Sequence, residues 1–178
     1  MVVLHLIAKG RGGRRVFRHD EDYLHFMALV GRFNRELGVV LHRHCLIPNH
    51  THLLVTAPSV DAARESDRRR RIAYARWHKH RYGPVRRERF WQRGFYGRVV
   101  GPDGYETAAA YVENNAVRHK LVDDALLWPW CSAPFYKLGM PMGLVTPDSY
   151  GALRPDSRRM QRMVRGMRLL ESETPHPG

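Results

Sequence analysis

The stretch "VVLHRHCLIPNHTHLLVT", residues 39–56, decides how the chain folds. Two apolar, branched runs flank Pro48-Asn49, a turn-forming pair, so "VVLHRHCL" and "HTHLLVT" read as the two strands of a hairpin. On a strand, residues two apart share a face. His50 and His52 therefore stand side by side, while Thr51, Leu53 and Val55 turn toward a core. Loop length decides what lies across from them. A three-residue loop, Ile47 to Asn49, sets His44 opposite His52, whereas a two-residue loop, Pro48-Asn49, sets Cys45 there. His42/His44 and His78/His80 repeat the His-x-His spacing. The latter pair falls in a helical pattern, where a two-residue step separates side chains by about 200°, so those rings cannot converge.

Outward from the hairpin, "MVVLHLIA" reads as a first strand closed by the glycine-rich basic loop "KGRGGRR". Tyr23, Phe26, Met27, Val30, Phe33 and Leu37 recur at helical spacing and Gly38 follows, predicting an amphipathic helix over 20–37. Residues 60–82 form a second, heavily charged helix ended by Gly83-Pro84. "VRRERFWQRGFYGRVV" suggests one or two strands, and an alanine-rich helix opens at Tyr105 and runs to about Asn115. "LLWPWCSAPFYKLGMPMG" is irregular and aromatic. Met160, Met163, Val164, Met167 and Leu170 predict a C-terminal basic amphipathic helix. The order is βα-ββ-α-β(β)-α: an α+β fold in which an antiparallel sheet is covered by helices on one face.

The 178 residues fit one domain. Thirty Lys plus Arg against seventeen Asp plus Glu give a net charge of +13 and a pI near 10.5. The basic residues fall in clusters, which points to a polyanion and first to nucleic acid. Two cysteines, Cys45 and Cys131, make no disulfide framework. The opening residues lack the pattern of a signal peptide, and no window reaches the length of a membrane span. A soluble, cytoplasmic protein is the expectation.

In the helix "YETAAAYVENNAVRHK", Tyr111 and Asn115 are four apart and share a face. Packed on the histidine face of the sheet, that helix brings a phenol and an amide oxygen to a metal held by His50 and His52. A tyrosine there is a candidate nucleophile that needs help to attack a phosphodiester. A metal on a non-bridging phosphate oxygen offsets the developing charge and orients the bond.

The ordered segments "CLIPNHTHLLV", "FWQRGFYGRVV" and "AYVENNAVRHKLV…WPWCSA" resemble the REP-associated tyrosine transposases, a branch of the single-tyrosine HUH transposases. In that family the segments usually read PNH, an apolar residue, HLL; then WQRGFY; then YI, two variable residues, NPVRAGLV and later PWSSA. The resemblance covers about His5 to Ala133. It implies a ferredoxin-like sheet of the HUH type, cleavage of single-stranded DNA beside a hairpin, a 5′-phosphotyrosine link with a free 3′-hydroxyl, and Mg²⁺ or Mn²⁺. By position, Tyr111 matches the nucleophile, His50 and His52 the metal-binding pair, and Asn115 a third ligand on the tyrosine's helix. It further implies a monomer, associated with the nucleoid of a bacterial cytoplasm.

Two departures stand out. Thr51 replaces an apolar residue, so a buried hydroxyl needs a partner. Ala116 and His119-Lys120 replace a proline and Ala-Gly, which predicts a helix running on past Asn115 and displacing that side chain. The domain division expected is 1–133 for a catalytic unit and 134–178 for an extension carrying the basic helix.

For DNA contacts, Lys9, Arg11, Arg14 and Arg15 lie on the glycine-rich loop, and in the resembled family this region helps read the sequence beside the hairpin. Arg68 to Arg71, with Arg86, Arg87 and Arg89, read as phosphate contacts, and Arg93 and Arg118 complete the set. Trp91, Phe95 and Tyr96 belong either to the core or to a base-stacking surface. Two other readings fit these residues: a hairpin-binding protein without catalysis, and a zinc site using His44 or Cys45 with His50 and His52.

Overall fold

The structure, a computed structural model, describes residues 1–84 and 89–138. Its strands are β1 (Val2–Lys9), β2 (Val40–Ile47), β3 (His50–Ala57) and β4 (Tyr96–Val99). Its helices are α1 (Asp20–Glu36), α2 (Val60–Tyr82), α3 (Tyr105–Glu113), α4 (Asn115–Arg118) and α5 (Ala133–Leu138). The sheet runs β2-β3-β1-β4 and every neighbouring pair is antiparallel, so the α+β expectation holds. Ile47 pairs with His50 and Cys45 with His52, which selects the two-residue loop.

Helices cover both faces of the sheet rather than the single face expected. Leu4, Leu6, Ala8, Leu53 and Val55 pack with α1 and α2; Cys45, Ile47 and Leu54 pack with Ala109, Val112 and Ala116 of α3 and α4. The reason lies in β3, where adjacent Leu53 and Leu54 are both fully buried. A strand covered on two sides carries a continuous apolar run rather than an alternating one.

Local chemistry sets the helix ends. Asp22, itself buried, accepts the backbone N–H groups of Arg18 (2.6 Å) and His19 (3.2 Å) at the start of α1 and the Tyr82 hydroxyl (2.7 Å) from the end of α2. Ser59 Oγ accepts from Ala62 N at 3.1 Å to cap α2, and Gly83 ends it at φ 82°.

The segment 85–100 contributes only β4 to the sheet among its described residues, with an isolated pairing of Trp91 to Gly10. Trp91 belongs to the core and donates its indole N–H to the Arg71 carbonyl at 2.9 Å. The described part of the aromatic segment predicted to be irregular includes α5 and seals the β2 edge: Leu46 N donates to Trp130 O and Ser132 N to His44 O. The predicted helix over Met160 to Leu170, most of the 134–178 extension, and Arg86 and Arg87 lie outside the described residues.

Two of the arginines read as phosphate contacts are structural. Arg70 is buried and pairs with Asp67 at 2.7 Å; Arg71 pairs with Asp67 at 3.2 Å and also donates to the carbonyls of Gln92 and Gly94. Arg68 and Arg69 are more exposed and pair with Glu65, Arg69 also with Glu36. The dense charge of α2 therefore ties its own turns and the 92–94 segment together.

Candidate active site

Strand alternation and the two-residue loop place His50 and His52 on the face covered by α3 and α4, with ring centroids 5.0 Å apart. Tyr111, on α3, sets its ring edge against His52 at 5.7 Å. It is 40% exposed, so its phenol remains open to solvent. Asn115 is buried near His50, close enough for its amide to favour the charged imidazole weakly, yet its Oδ1 completes no hydrogen bond of good geometry.

With alanine at 116 the helix does not run on unbroken past Asn115, which is buried. The helix breaks at Asn114 (φ −82°, ψ 8°) and resumes as α4, with Asn114 N still donating to Ala110 O and Arg118 N to Asn114 O. Buried Ala116 packs in the cluster beneath. Thr51 is likewise buried, across from Ala8 and Leu46 on the opposite face.

Burial dominates the electrostatics. It pushes the His50 pKa down to about 4, helped by His119 and Lys9, and the His52 pKa down to about 2, helped by His5, His50 and Lys9. Both rings are neutral at pH 7, the form that offers a lone pair. Each is anchored through Nδ1: His50 to Asn49 Oδ1 at 2.8 Å and His52 to His5 Nε2 at 2.8 Å. His52 Nε2 is buried and has no hydrogen-bond partner.

Two buried polar atoms in this small region, an imidazole nitrogen and an amide oxygen, thus lack partners, and a bound cation would satisfy both. With His50 they make a mixed nitrogen and oxygen donor set suited to Mn²⁺, and less well to Mg²⁺, which prefers oxygen. Among the described residues, no three His, Cys, Asp or Glu side chains form a metal-holding group, so the amide is needed to complete the set. The zinc arrangement is not assembled. His44 shares the face of Leu53, away from His50 and His52. Cys45 is across from His52, but it packs in the cluster with Val112, Ala116 and Cys131, and no group of three His, Cys, Asp or Glu side chains that could hold a metal forms there among the described residues.

Three residues of the cluster escaped the sequence reading as site residues: His5, Asn49 and His119. His119 sets its ring against His50 at 4.9 Å, and its spacing of four from Asn115 was the available signal. His5 comes from β1 and meets His52 only through strand register.

Clefts flank the cluster. Lys9, Arg11, Asn49, His50, Arg89 and Arg93 line a cavity of about 630 Å³, and its basic lining runs directly up to a candidate ligand. Gly10 shapes that loop: a Cβ there would meet the Arg14 carbonyl oxygen at 2.3 Å. A groove of about 820 Å³ opens on the other side, lined by His5, Tyr96, Arg98, Thr107 and Tyr111. Arg14 and Arg15 line a separate pocket of about 270 Å³ with Arg18 and His78. Arg118 stacks on Tyr111, its guanidinium carbon 4.9 Å from the ring centroid.

Residues 2–115 match the family described as "Transposase IS200 like". The chain belongs to the IS200-like transposases. That makes it a DNA-processing protein of the transposase type. The solved structure of a REP-associated tyrosine transposase bound to a REP hairpin superposes with a TM-score of 0.60 at 18% identity, covering 83% of this chain and 84% of that one. At that identity the likeness of this IS200-like transposase to its neighbour is one of fold, and the sequence resemblance to the same branch agrees with it. Among curated proteins, no match was found. No helix among the described residues is long and apolar enough to cross a membrane.

Proposed function

We propose that this IS200-like transposase is a metal-dependent nicking and joining enzyme for single-stranded DNA, acting beside a hairpin with Tyr111 as nucleophile. The carrying observation is the convergence of a solvent-open phenol on a buried histidine whose Nε2 has no partner. His50, His52 and Asn115 would hold a divalent cation, which when bound polarises a phosphate oxygen and offsets charge developing at phosphorus. Tyr111 Oη attacks the phosphorus in line. A tyrosyl O–P bond forms, the P–O3′ bond breaks, the phenolic proton leaves to solvent, and the departing 3′-oxygen takes up a proton. Joining reverses these steps with an incoming 3′-hydroxyl.

Lys9, Arg11 and Arg93 would hold DNA phosphates along the basic cleft, and Arg118 would position the Tyr111 ring. The domain unit in this reading is 1–133, with 134–178 as its extension. The fold neighbour bound to a REP hairpin supports hairpin DNA as the substrate class.

The test is covalent capture. Labelled single-stranded hairpins are incubated with the protein and Mn²⁺, with Tyr111→Phe and EDTA controls, then run on denaturing gels. The expected result is a labelled protein band lost in both controls. Hairpins retained on native gels with no covalent band in any lane would replace this reading by binding without catalysis.

A further inference from the structure

His5 lies on β1 with its side chain on the same sheet face as His52, diagonal to it across the β1–β3 register, in which Ile7 faces His52 and His5 faces Leu54. Its Nε2 is 2.8 Å from His52 Nδ1, and the two rings stack at 5.0 Å with an interplanar angle of 27°. Tyr111 meets both edge-on, at 5.7 Å from each.

One hydrogen bond between two imidazoles holds one proton, and its position fixes both tautomers. With the proton on His52 Nδ1, His5 Nε2 accepts, His5 carries its own proton on Nδ1, and His52 Nε2 keeps a free lone pair. With the proton on His5 Nε2, His52 Nδ1 accepts and its own proton moves to Nε2, the buried atom with no hydrogen-bond partner. The second arrangement buries a donor with nothing to receive it and removes the lone pair that a cation needs. The first is the tautomer that a metal requires.

We propose that His5 is a positioning residue that holds His52 as the Nδ1–H tautomer, with Nε2 turned inward as a metal ligand, and that it steadies the stacked ring against which Tyr111 rests. This deepens the proposed metal site and rests on it. A ligating imidazole whose other nitrogen donates to a fixed acceptor is both oriented and made more basic. His50 obtains the same service from the Asn49 amide oxygen. His5 extends this second layer to a strand that is separated from His52 by 47 residues in sequence.

Two measurements test it, the first without metal. Long-range ¹H–¹⁵N correlation spectra of histidine-labelled protein in EDTA should show His52 as the Nδ1–H tautomer in the wild type. That preference should be lost in His5→Phe, which keeps the stacked ring and removes the acceptor. Wild-type His52 protonated on Nε2 would overturn the inference whether or not a metal binds. The second follows Mn²⁺ binding by the paramagnetic resonance signal of the free ion, with Tyr111→Phe as the common background. His5→Phe should weaken Mn²⁺ by roughly ten- to a hundredfold, and His5→Gln, which restores an acceptor at similar reach, should recover most of the loss. Hairpin affinity in EDTA should stay level across the variants. Equal Mn²⁺ affinity for His5→Phe and its parent would sink the inference while leaving the metal site standing. No Mn²⁺ binding by the parent would defeat the proposed metal site itself.

Discussion

The Arg118 guanidinium lies over the face of the Tyr111 ring, 4.9 Å from its centroid, so α4 clamps the phenol carried by α3. Arg118 lies across the break at Asn114, where Asn114 N donates to Ala110 O and Arg118 N to Asn114 O, so hydrogen bonds through Asn114 tie the two helices together at the clamp. An exposed cation over an aromatic face is worth roughly 0.5–1 kcal/mol. Arg118→Ala should therefore slow covalent capture of DNA about two- to fivefold in single-turnover assays. Arg118→Lys, which keeps charge but loses planar stacking, should fall between. An unchanged rate for Arg118→Ala would show that the clamp does not position the nucleophile.

Asn115 gives opposite signs with and without metal. Its buried Oδ1 has no hydrogen-bond partner, a condition that costs about 1–3 kcal/mol. Asn115→Leu removes that oxygen at similar volume. Urea unfolding in EDTA should show the variant as stable as the wild type or more so, whereas the added stability that Mn²⁺ confers should disappear. A variant equally stabilised by Mn²⁺ would remove Asn115 from the ligand set.

The hairpin, its polar pair and the boundaries of α1 and α2 were legible because each is written locally. Pro48-Asn49 sets the loop, alternation sets the faces of His50 and His52, and α2 occupies the 60–82 span that its pattern and Gly83 indicated. What stayed hidden depends on distant partners. His5 joins the cluster through register with a strand far along the chain. The double covering of β3 follows from helices on either side of it in sequence. Arg70 sits in a run of four arginines that looks solvated throughout, and only the packing of α2 on the sheet shows that one of the four points inward.

Arg70 supplies a test of that distinction. It is buried against Asp67, and loss of one partner from a buried ion pair costs on the order of 3–5 kcal/mol because the remaining charge is stranded. Arg70→Ala should lower stability by an amount of this order in urea titrations, softened by the Asp67 contact with Arg71. Per folded molecule, its hairpin affinity should match the wild type. Arg93→Ala should do the reverse, leaving stability level and weakening hairpin binding in a salt-dependent way, since Arg93 is exposed on the basic cleft.

Acid should loosen the fold before the carboxylates titrate, and His44 is the group to follow. It is fully buried on the sheet face away from His50, neither ring nitrogen has a partner, and burial alone pushes its pKa down to about 4. In the unfolded chain the same ring takes a proton near pH 6.5. Between those values the unfolded state binds the extra proton, so stability falls as pH drops from about 6.5 toward 4 and is level above that window. His50 and His52, also depressed, act in the same direction. Unfolding free energies of the metal-free protein at pH 7.5, 6 and 5 should therefore decline steadily. His44→Leu fills similar apolar space without a titrating ring, so its decline should be shallower by up to about 1.4 kcal/mol per pH unit. Parallel slopes for the two proteins would show that the His44 ring is protonated in the folded state or reaches solvent.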